Sequence, residues 1–209
     1  MIRGGVVEEM LLPDLTTEAR VKTWIVICAA RVALGLGGGA VARAATAPPP
    51  SGGALEVREA GGRRALALTR DERRLLDLIA AARRRRGLKP LRLRASLYRA
   101  AKAHSRDMLR GGYFSHVSRT GLGPAARARR AGYSTAGYGS WKVGEVIGWG
   151  RGSRGAPRAI FRRWMGSAMH RSVLMGAGWR DIGLGCARGT FRGLDGVRMY
   201  TVITGRRVP

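Results

Sequence analysis

The sequence predicts a single α+β domain, in which helices come first along the chain and an antiparallel sheet comes last. Apolar residues recur at helical spacing in the first half of this domain. Prolines then stand at the favoured opening position of two further helices, and two strand-like runs joined by a glycine-rich turn follow them. This order of elements favours the α+β class, and about 140 residues are enough for one hydrophobic core.

The first helix begins at Thr69. Its side chain can accept a hydrogen bond from the amide of Glu72, while the Glu72 side chain reaches back to the amide of Thr69. Leucines at 75, 76 and 78 and an isoleucine at 79 form the apolar stripe of this helix. Gly87 then ends it.

The second helix runs from Ala95 to Arg110 and is closed by two glycines. Four of its residues have the spacing i, i+4, i+7 and i+11 and therefore share one face: Leu97, Ala101, His104 and Met108. Because the other three are apolar, we expect His104 to be buried against the core. A ligand or a residue lining a binding site is the alternative for this histidine.

Prolines and glycines place the remaining elements. Pro124 opens a third helix that ends at Gly132, and Pro157 opens a fourth helix with an apolar stripe at 160–165. Residues 133–155 are rich in glycine and are predicted to be irregular apart from a short apolar stretch. The two strands are predicted at residues 182–187 and 197–203, with a hairpin turn at 193–196.

The N-terminal part is interpreted as an export segment followed by a linker. Residues 20–44 combine a basic start, an apolar run and small residues before a cleavage point, which is typical of a secretory signal peptide. Arg31 interrupts the apolar run, and a membrane anchor is the alternative. Proline and glycine then favour a linker. We divide the chain into an extension with the signal (1–46), a linker (47–68) and a folded domain (69–207).

The chain carries a formal net charge of +26, and most of this excess lies in the folded domain. Such a charge attracts anionic lipid, wall polymers and nucleic acid. A genome bias toward arginine is the alternative cause of the charge, since only four residues are lysine. No zinc-finger, RRM or basic-zipper pattern is present, so we expect nucleic acid to bind only non-specifically.

Two histidines and one glutamate are the candidates for a functional site. His116, Glu145 and His170 each stand in a short irregular cluster, and Glu145 is the single carboxylate between Asp107 and Asp181. Two imidazoles and a carboxylate could hold zinc or another divalent cation, with a position left for water, or form an acid/base pair. The alternative is a hydrogen-bonded network that ties loops to helices.

Five short motifs, in this order and at this spacing, resemble the secreted bacterial branch of the CAP superfamily, also called the SCP domain. They are Ala103-His104-Ser105-Arg106-Asp107-Met108, Gly112-Tyr113-Phe114-Ser115-His116, Gly144-Glu145, Trp164-Met165-Gly166-Ser167 with His170-Arg171, and Ile182-Gly183-Leu184-Gly185. The resemblance runs from about Arg70 to Gly205 and covers nearly the whole predicted domain.

The resemblance implies a three-layer α-β-α sandwich with a cleft lined by His116, Glu145 and His170, the three residues expected to hold a metal. Ser167 stands in the cleft where other branches carry a second glutamate, and His104 and Ser115 are further candidates for its lining. Some family members bind divalent cations through the histidine pair, and others bind sterols or lipids elsewhere on the domain. Val146 replaces the asparagine expected after Glu145 and removes a side chain that could fix the loop.

The function expected from these observations is that of a secreted, monomeric, non-catalytic binding module, with no catalytic residue assigned. Its cleft would take a divalent cation and a ligand of lipid or anionic cell-wall type, and it would meet a membrane only through the signal segment or its surface charge. Two alternatives stay open. One is a metal-dependent extracellular hydrolase acting on peptide, in which the metal would activate a bound water. The other is a polyanion-binding basic protein.

Overall fold

The computed structural model describes residues 55–59 and 62–209. The predicted export segment at 20–44 and its alternative as a membrane anchor lie outside the described residues. Within the described part, no helix combines the length and the hydropathy needed to cross a membrane.

Five α-helices and six β-strands form the described part of the chain, with a 3-10 turn at Gly152–Gly155. The helices are α1 (Arg70–Arg84), α2 (Ala95–Gly111), α3 (Pro124–Arg130), α4 (Pro157–Gly166) and α5 (Ala168–Met175). The strands are β1 (Leu55–Glu59), β2 (Gly62–Leu66), β3 (Arg92–Leu93), β4 (Ser140–Arg151), β5 (Asp181–Phe191) and β6 (Leu194–Val208).

A four-stranded mixed sheet has the strand order β3-β5-β6-β4. β3 runs parallel to β5, while β5 pairs with β6, and β6 with β4, in antiparallel register. The hairpin between β5 and β6 turns at Arg192 and Gly193, which have φ values of 51° and 75°. This turn is tighter than the predicted one at 193–196, because Leu194 already pairs with Phe191.

Helices cover both faces of this sheet, which confirms the α+β class and the α-β-α sandwich. On one face, α1, α4 and α5 share a core cluster with the sheet that includes Leu75, Ile160 and Val202. On the other face, Leu97 of α2 belongs to a cluster with Ile203. Successive residues of β6 thus enter different layers, as the alternation of side chains along a strand requires.

Two glycines let α2 lie directly on β5. A Cβ atom at Gly183 would come within 2.1 Å of the carbonyl carbon of Leu97, and one at Gly185 within 2.3 Å of the Cα of Lys102. The backbones therefore approach more closely than any other residue at these two positions would allow. The close packing fixes α2 relative to the sheet.

The predicted helix starts are confirmed. The Thr69 hydroxyl accepts from the amide of Glu72 at 3.3 Å, and the Glu72 carboxylate accepts from the amide of Thr69 at 2.8 Å. α2 extends one residue beyond its predicted end, and Gly112 follows it with a left-handed φ of 65°. α3 and α4 begin at Pro124 and Pro157 as predicted.

The prediction of an irregular segment over residues 133–155 was wrong, because β4 occupies twelve of these residues. Its glycines are places of close contact rather than turns. A Cβ at Gly148 would lie 3.1 Å from the indole of Trp164, and one at Gly150 would lie 2.6 Å from the carbonyl oxygen of Arg154. Glycine in a strand marks such approaches of neighbouring groups.

Two further elements differ from expectation. The segment predicted as a linker over 47–68 contains β1 and β2, which pair as a two-stranded antiparallel sheet. The fourth predicted helix is followed by a separate helix, α5, which begins where the Ser167 side chain accepts from the amide of His170 at 3.5 Å. A serine at this position caps a new helix start, so His170 lies in the first turn of α5.

Candidate functional site

The glutamate of the candidate site lies within β4 and has both carboxylate oxygens occupied. Glu145 Oε1 is 2.9 Å from His116 Nδ1, and Glu145 Oε2 is 2.6 Å from an Nη atom of Arg127. The Glu145 side chain is 1% exposed. Burial of a carboxylate is unfavourable unless charged or polar partners surround it, and here one guanidinium and one imidazole do so.

Arg127 of α3 belongs to this site and was not predicted from the sequence. Besides the ion pair with Glu145, its second terminal nitrogen donates to the backbone carbonyls of His116 and Leu122, at 2.8 and 2.5 Å. One guanidinium thus joins α3, β4 and the loop that carries His116. A buried carboxylate requires a cation, which is a usable signal, but the many arginines of this chain give no sequence reason to choose Arg127.

His116 lies in the loop between α2 and α3, and its side chain is 51% exposed. An ionised carboxylate can only accept a hydrogen bond, so Nδ1 of His116 carries the proton and donates to Glu145. When the ring carries only this proton, its lone pair lies on Nε2. A carboxylate holding one ring nitrogen while the other is available is the usual arrangement behind a metal-binding or proton-accepting histidine.

His170 is close enough to His116 for the two rings to interact electrostatically. Burial and, secondly, the charge of His116 lower the pKa of His170 below its ordinary value of 6.5. The Nδ1 atom of His170 is buried and has no hydrogen-bond partner among the described residues. His170 therefore stays neutral to a lower pH than an ordinary histidine, and one of its ring nitrogens has no partner among the described residues.

His104 is 1% exposed, which confirms the predicted burial. Its Nε2 donates to the backbone carbonyl of Ser115 at 2.9 Å, so it holds the residue immediately before His116. Burial, and then the charge of Arg127, lower the pKa of His104 and keep the ring neutral. His104 is thus a core histidine that positions the loop. The Ser115 hydroxyl accepts from the amide of Val117 at 3.1 Å within that loop.

The residues present suit a cation held by two imidazoles better than one held by three protein ligands. Within residues 55–59 and 62–209, no three side chains of His, Cys, Asp or Glu come together as a metal site. Direct ligation by Glu145 would require it to leave Arg127 or His116. The free ring nitrogens of His116 and His170 are the donors that zinc and similar ions prefer.

The fold and the pairing of His116 with Glu145 indicate the class of the protein, and comparison with known sequences agrees. The chain belongs to the cysteine-rich secretory protein (CAP) family, whose profile matches residues 76–203. It is similar to YkwD, an uncharacterized protein of Bacillus subtilis, with 33% identity over 116 residues, which is 54% of this chain and 41% of that protein. The resemblance seen in the sequence is thereby confirmed.

Solved structures share the fold. An outer surface protein of Borrelia burgdorferi has a TM-score of 0.55 and 18% identity, and the match covers 74% of this chain and 98% of that one. An extracellular SCP-domain protein of Bacillus anthracis has a TM-score of 0.53 and 24% identity, covering 68% of this chain and 45% of that one. This chain thus spans less than half the length of either Bacillus protein.

Proposed function

We propose that this chain is an exported, non-catalytic binding domain, whose cleft holds a divalent cation through His116 and His170 and takes an amphipathic ligand beside it. The observation that carries the proposal is the pairing of both Glu145 oxygens, one with Arg127 and the other with His116. This carboxylate orients an imidazole, and each of its oxygens already accepts a hydrogen bond. What the site offers to a ligand is the pair of ring nitrogens.

The donor set supports zinc or a similar ion bound by nitrogen. A bound cation would supply a positive charge at the cleft for an anionic headgroup. Glu145 keeps the proton of His116 on Nδ1 and so keeps Nε2 ready to ligate. Because the pKa of His170 is lowered, this ring stays neutral and able to ligate to a lower pH than an ordinary histidine.

The surroundings of the two histidines favour a ligand with an apolar part. Three large apolar side chains that stand within two residues of them in sequence are exposed: Phe114 at 39%, Val117 at 49% and Met169 at 77%. Exposed apolar groups near a polar centre are typical of surfaces that bind lipids or other amphipathic molecules. A lipid-type ligand would cover these side chains while its headgroup approaches the histidines.

The polar groups around the cleft support binding over turnover. A hydrolase that uses a carboxylate as its base or a hydroxyl as its nucleophile needs that group free to move a proton or attack a bond. Glu145 is engaged at both oxygens, and the hydroxyls of Ser115 and Ser167 accept from backbone amides. A metal-dependent hydrolase acting on peptide is the alternative function.

Export is part of the proposal. The predicted signal at residues 20–44 supports it, and the similar proteins of known structure are an outer surface protein and an extracellular protein. These likenesses establish a shared fold, and they are consistent with a place outside the cytoplasm for this chain as well.

Zinc titration of the full chain by calorimetry tests the proposed function. We expect one ion per chain in the parent, and at least about a tenfold loss of affinity in His116→Ala and in His170→Ala, because each removes one of two protein ligands. His104 remains in both variants and serves as the internal control for adventitious histidine binding. Absence of zinc binding in the parent, or equal affinity in all three proteins, would overturn the cation site.

A peptide library incubated with the zinc-loaded parent distinguishes binding from turnover. Peptide cleavage by the parent that disappears in His116→Ala would show that the protein is a hydrolase and not a non-catalytic binding domain. We expect no cleavage, and we expect vesicles of anionic lipid to protect Phe114, Val117 and Met169 from chemical labelling in the parent.

A further inference from the structure

We infer that a second binding site lies on the far side of α2 from the histidine cleft, and that it takes an extended phosphodiester polymer without bases. A groove of about 650 Å³ lies there. The start of α1, one face of α2 and the end of β5 line it. We call it the arginine groove.

Cations dominate the lining of this groove. Five of its lining residues are basic and one is acidic; the basic ones are Arg70, Lys102, Arg106, Arg110 and Arg188. Lys102, Arg106 and Arg110 follow each other at intervals of four along α2, so they form a row on one helix face. With a rise of about 1.5 Å per residue, successive members stand about 6 Å apart along the helix axis.

The hydrogen bonds divide these cations into two groups. Arg188 pairs with Asp71 at 2.5 Å, and Lys102 pairs with the buried Glu72 at 2.5 Å. Asp71 also contacts Arg198 at 3.1 Å, so the carboxylates beside the groove are already neutralised by other cations. The remaining three, Arg70, Arg106 and Arg110, are exposed and form no ion pair with any residue that the structure describes. Three guanidinium groups are left for an external anion.

The shape and the remaining lining select the kind of anion. Arginine matches phosphate oxygens with two parallel hydrogen bonds, and a row of guanidinium groups matches a row of phosphates on an extended chain. The small or apolar residues of the lining are Leu109, Cys186, Ala187 and Gly189. None of the described residues that line the groove is aromatic, so it lacks the stacking surfaces that hold bases of single-stranded nucleic acid.

The arginine groove is independent of the histidine cleft. On a helix with about 100° between residues, Lys102 and His104 lie about 200° apart, which puts them on opposite sides of α2. Binding in the groove is therefore separate from the function proposed for the two histidines. A variant that disrupts one site leaves the other site intact, so each proposal can be tested alone. A generally basic surface would bind polyanions everywhere, whereas a built groove should concentrate the binding on a few arginines.

Binding of the full chain to poly(glycerol phosphate), measured by fluorescence anisotropy over a range of salt concentrations, tests the inference. The groove variant carries Arg70→Gln, Arg106→Gln and Arg110→Gln. The matched control carries Arg129→Gln, Arg158→Gln and Arg162→Gln, which removes the same charge from exposed positions on α3 and α4. We expect the groove variant to bind at least about tenfold more weakly, with a salt slope smaller by about 2, and the control to change less than about threefold.

The proposal fails if both triple variants lose affinity equally, since the charge would then act as a diffuse field, or if the parent does not bind the polymer. It also fails if oligo(dT) of the same number of phosphates binds more tightly through the same three arginines, because the occupant would then be nucleic acid. Melting followed by circular dichroism checks folding. Single charge reversals, Arg106→Glu against Arg162→Glu, repeat the comparison with a smaller perturbation, and equal losses in this pair would overturn the groove as well.

Discussion

Two buried glutamates in this domain make almost the same kinds of contact and have different consequences. Glu72 is fully buried and accepts from the Lys102 ammonium at 2.5 Å, the amide of Cys186 at 2.8 Å and the amide of Thr69 at 2.8 Å. Glu145 accepts from Arg127 and His116. Both carboxylates are thus held by a cation and a second donor.

The two glutamates differ in the groups at which their hydrogen-bond networks end. The contacts of Glu72 end in backbone amides and in a lysine whose side chain is 13% exposed. This network joins α1, α2 and β5, and its one partly exposed cation, Lys102, is already paired with Glu72. The network of Glu145 ends in an imidazole that is half exposed, with a free ring nitrogen. Burial and pairing of a carboxylate therefore do not by themselves identify a functional site. What distinguishes the network of Glu145 is the exposed imidazole at its end.

The largest effect on stability is expected from breaking the network of Glu72. Glu72→Gln leaves Lys102 without its partner in a nearly dry position, and the loss of one member of a buried ion pair costs about 3–5 kcal/mol. Urea unfolding of the variant should show this loss in the free energy of unfolding. Asp77→Asn, on the exposed side of the same helix, is the matched control and should lie within about 0.5 kcal/mol of the parent. Equal stabilities of the two variants would show that Glu72 has no special role in stabilising the fold.

A smaller loss of stability and a clear loss of ion affinity are expected for Glu145→Gln. The guanidinium of Arg127 keeps its bonds to two carbonyls, so we expect the variant to fold and to lose about 2 kcal/mol. Because His116 loses the carboxylate that orients it, zinc should bind about tenfold more weakly. An unfolded variant would favour a purely structural network around Glu145, and an unchanged zinc affinity would contradict its orienting role.

Gly144→Ala should separate the position of α5 from the chemistry of Glu145. An added Cβ would meet Val173 of α5 at 3.1 Å and Trp179 at 3.0 Å, and overpacking of this kind costs about 1–2 kcal/mol. The shift would move His170, which lies on the same helix, while the contacts of Glu145 remain. We expect reduced zinc affinity with a small fall in melting temperature. Gly166→Ala, where a Cβ meets nothing within 4 Å, is the control and should leave zinc affinity unchanged.

The smallest expected effect is a pH dependence of the melting temperature that arises from His104 and His170. The pKa values of His104 and His170 lie below 6.5 in the folded protein, chiefly because of burial. Between these values and 6.5 the unfolded chain binds more protons, so stability is lost as the pH falls below about 6.5. The melting temperature should drop by a few degrees between about pH 7 and about pH 5. The double variant His104→Gln, His170→Gln should show a weaker dependence, and an identical one would contradict this origin.

Much of the fold could be predicted from local sequence signals. The capping pair Thr69 and Glu72, the prolines at 124 and 157 and the closing Gly112 each act within a few residues, and local rules describe such effects well. β4 was missed for a physical reason. Its glycines face Trp164, Trp179 and the turn at Arg154, and such tertiary contacts leave no local mark that separates a strand from a loop.

Apart from Arg127, the residues of the candidate site could be predicted from the sequence, but the hydrogen bonds and ion pairs between them could not. His116 and Glu145 stand 29 residues apart and are joined in the structure. The role of Glu145 differs from that of a plain ligand because Arg127, from another helix, holds its second oxygen. Likewise, the sequence shows that the chain is basic, but only the fold shows which arginines share a groove and which are already paired with Asp71.

The most direct test of the account is a crystal structure of the full chain grown with zinc and measured at the metal absorption edge. We expect one anomalous peak between His116 Nε2 and the ring of His170, with Glu145 still bonded to Arg127 and to His116 Nδ1. A peak ligated by Glu145 itself, a peak elsewhere on the domain, or no peak under saturating zinc would contradict it.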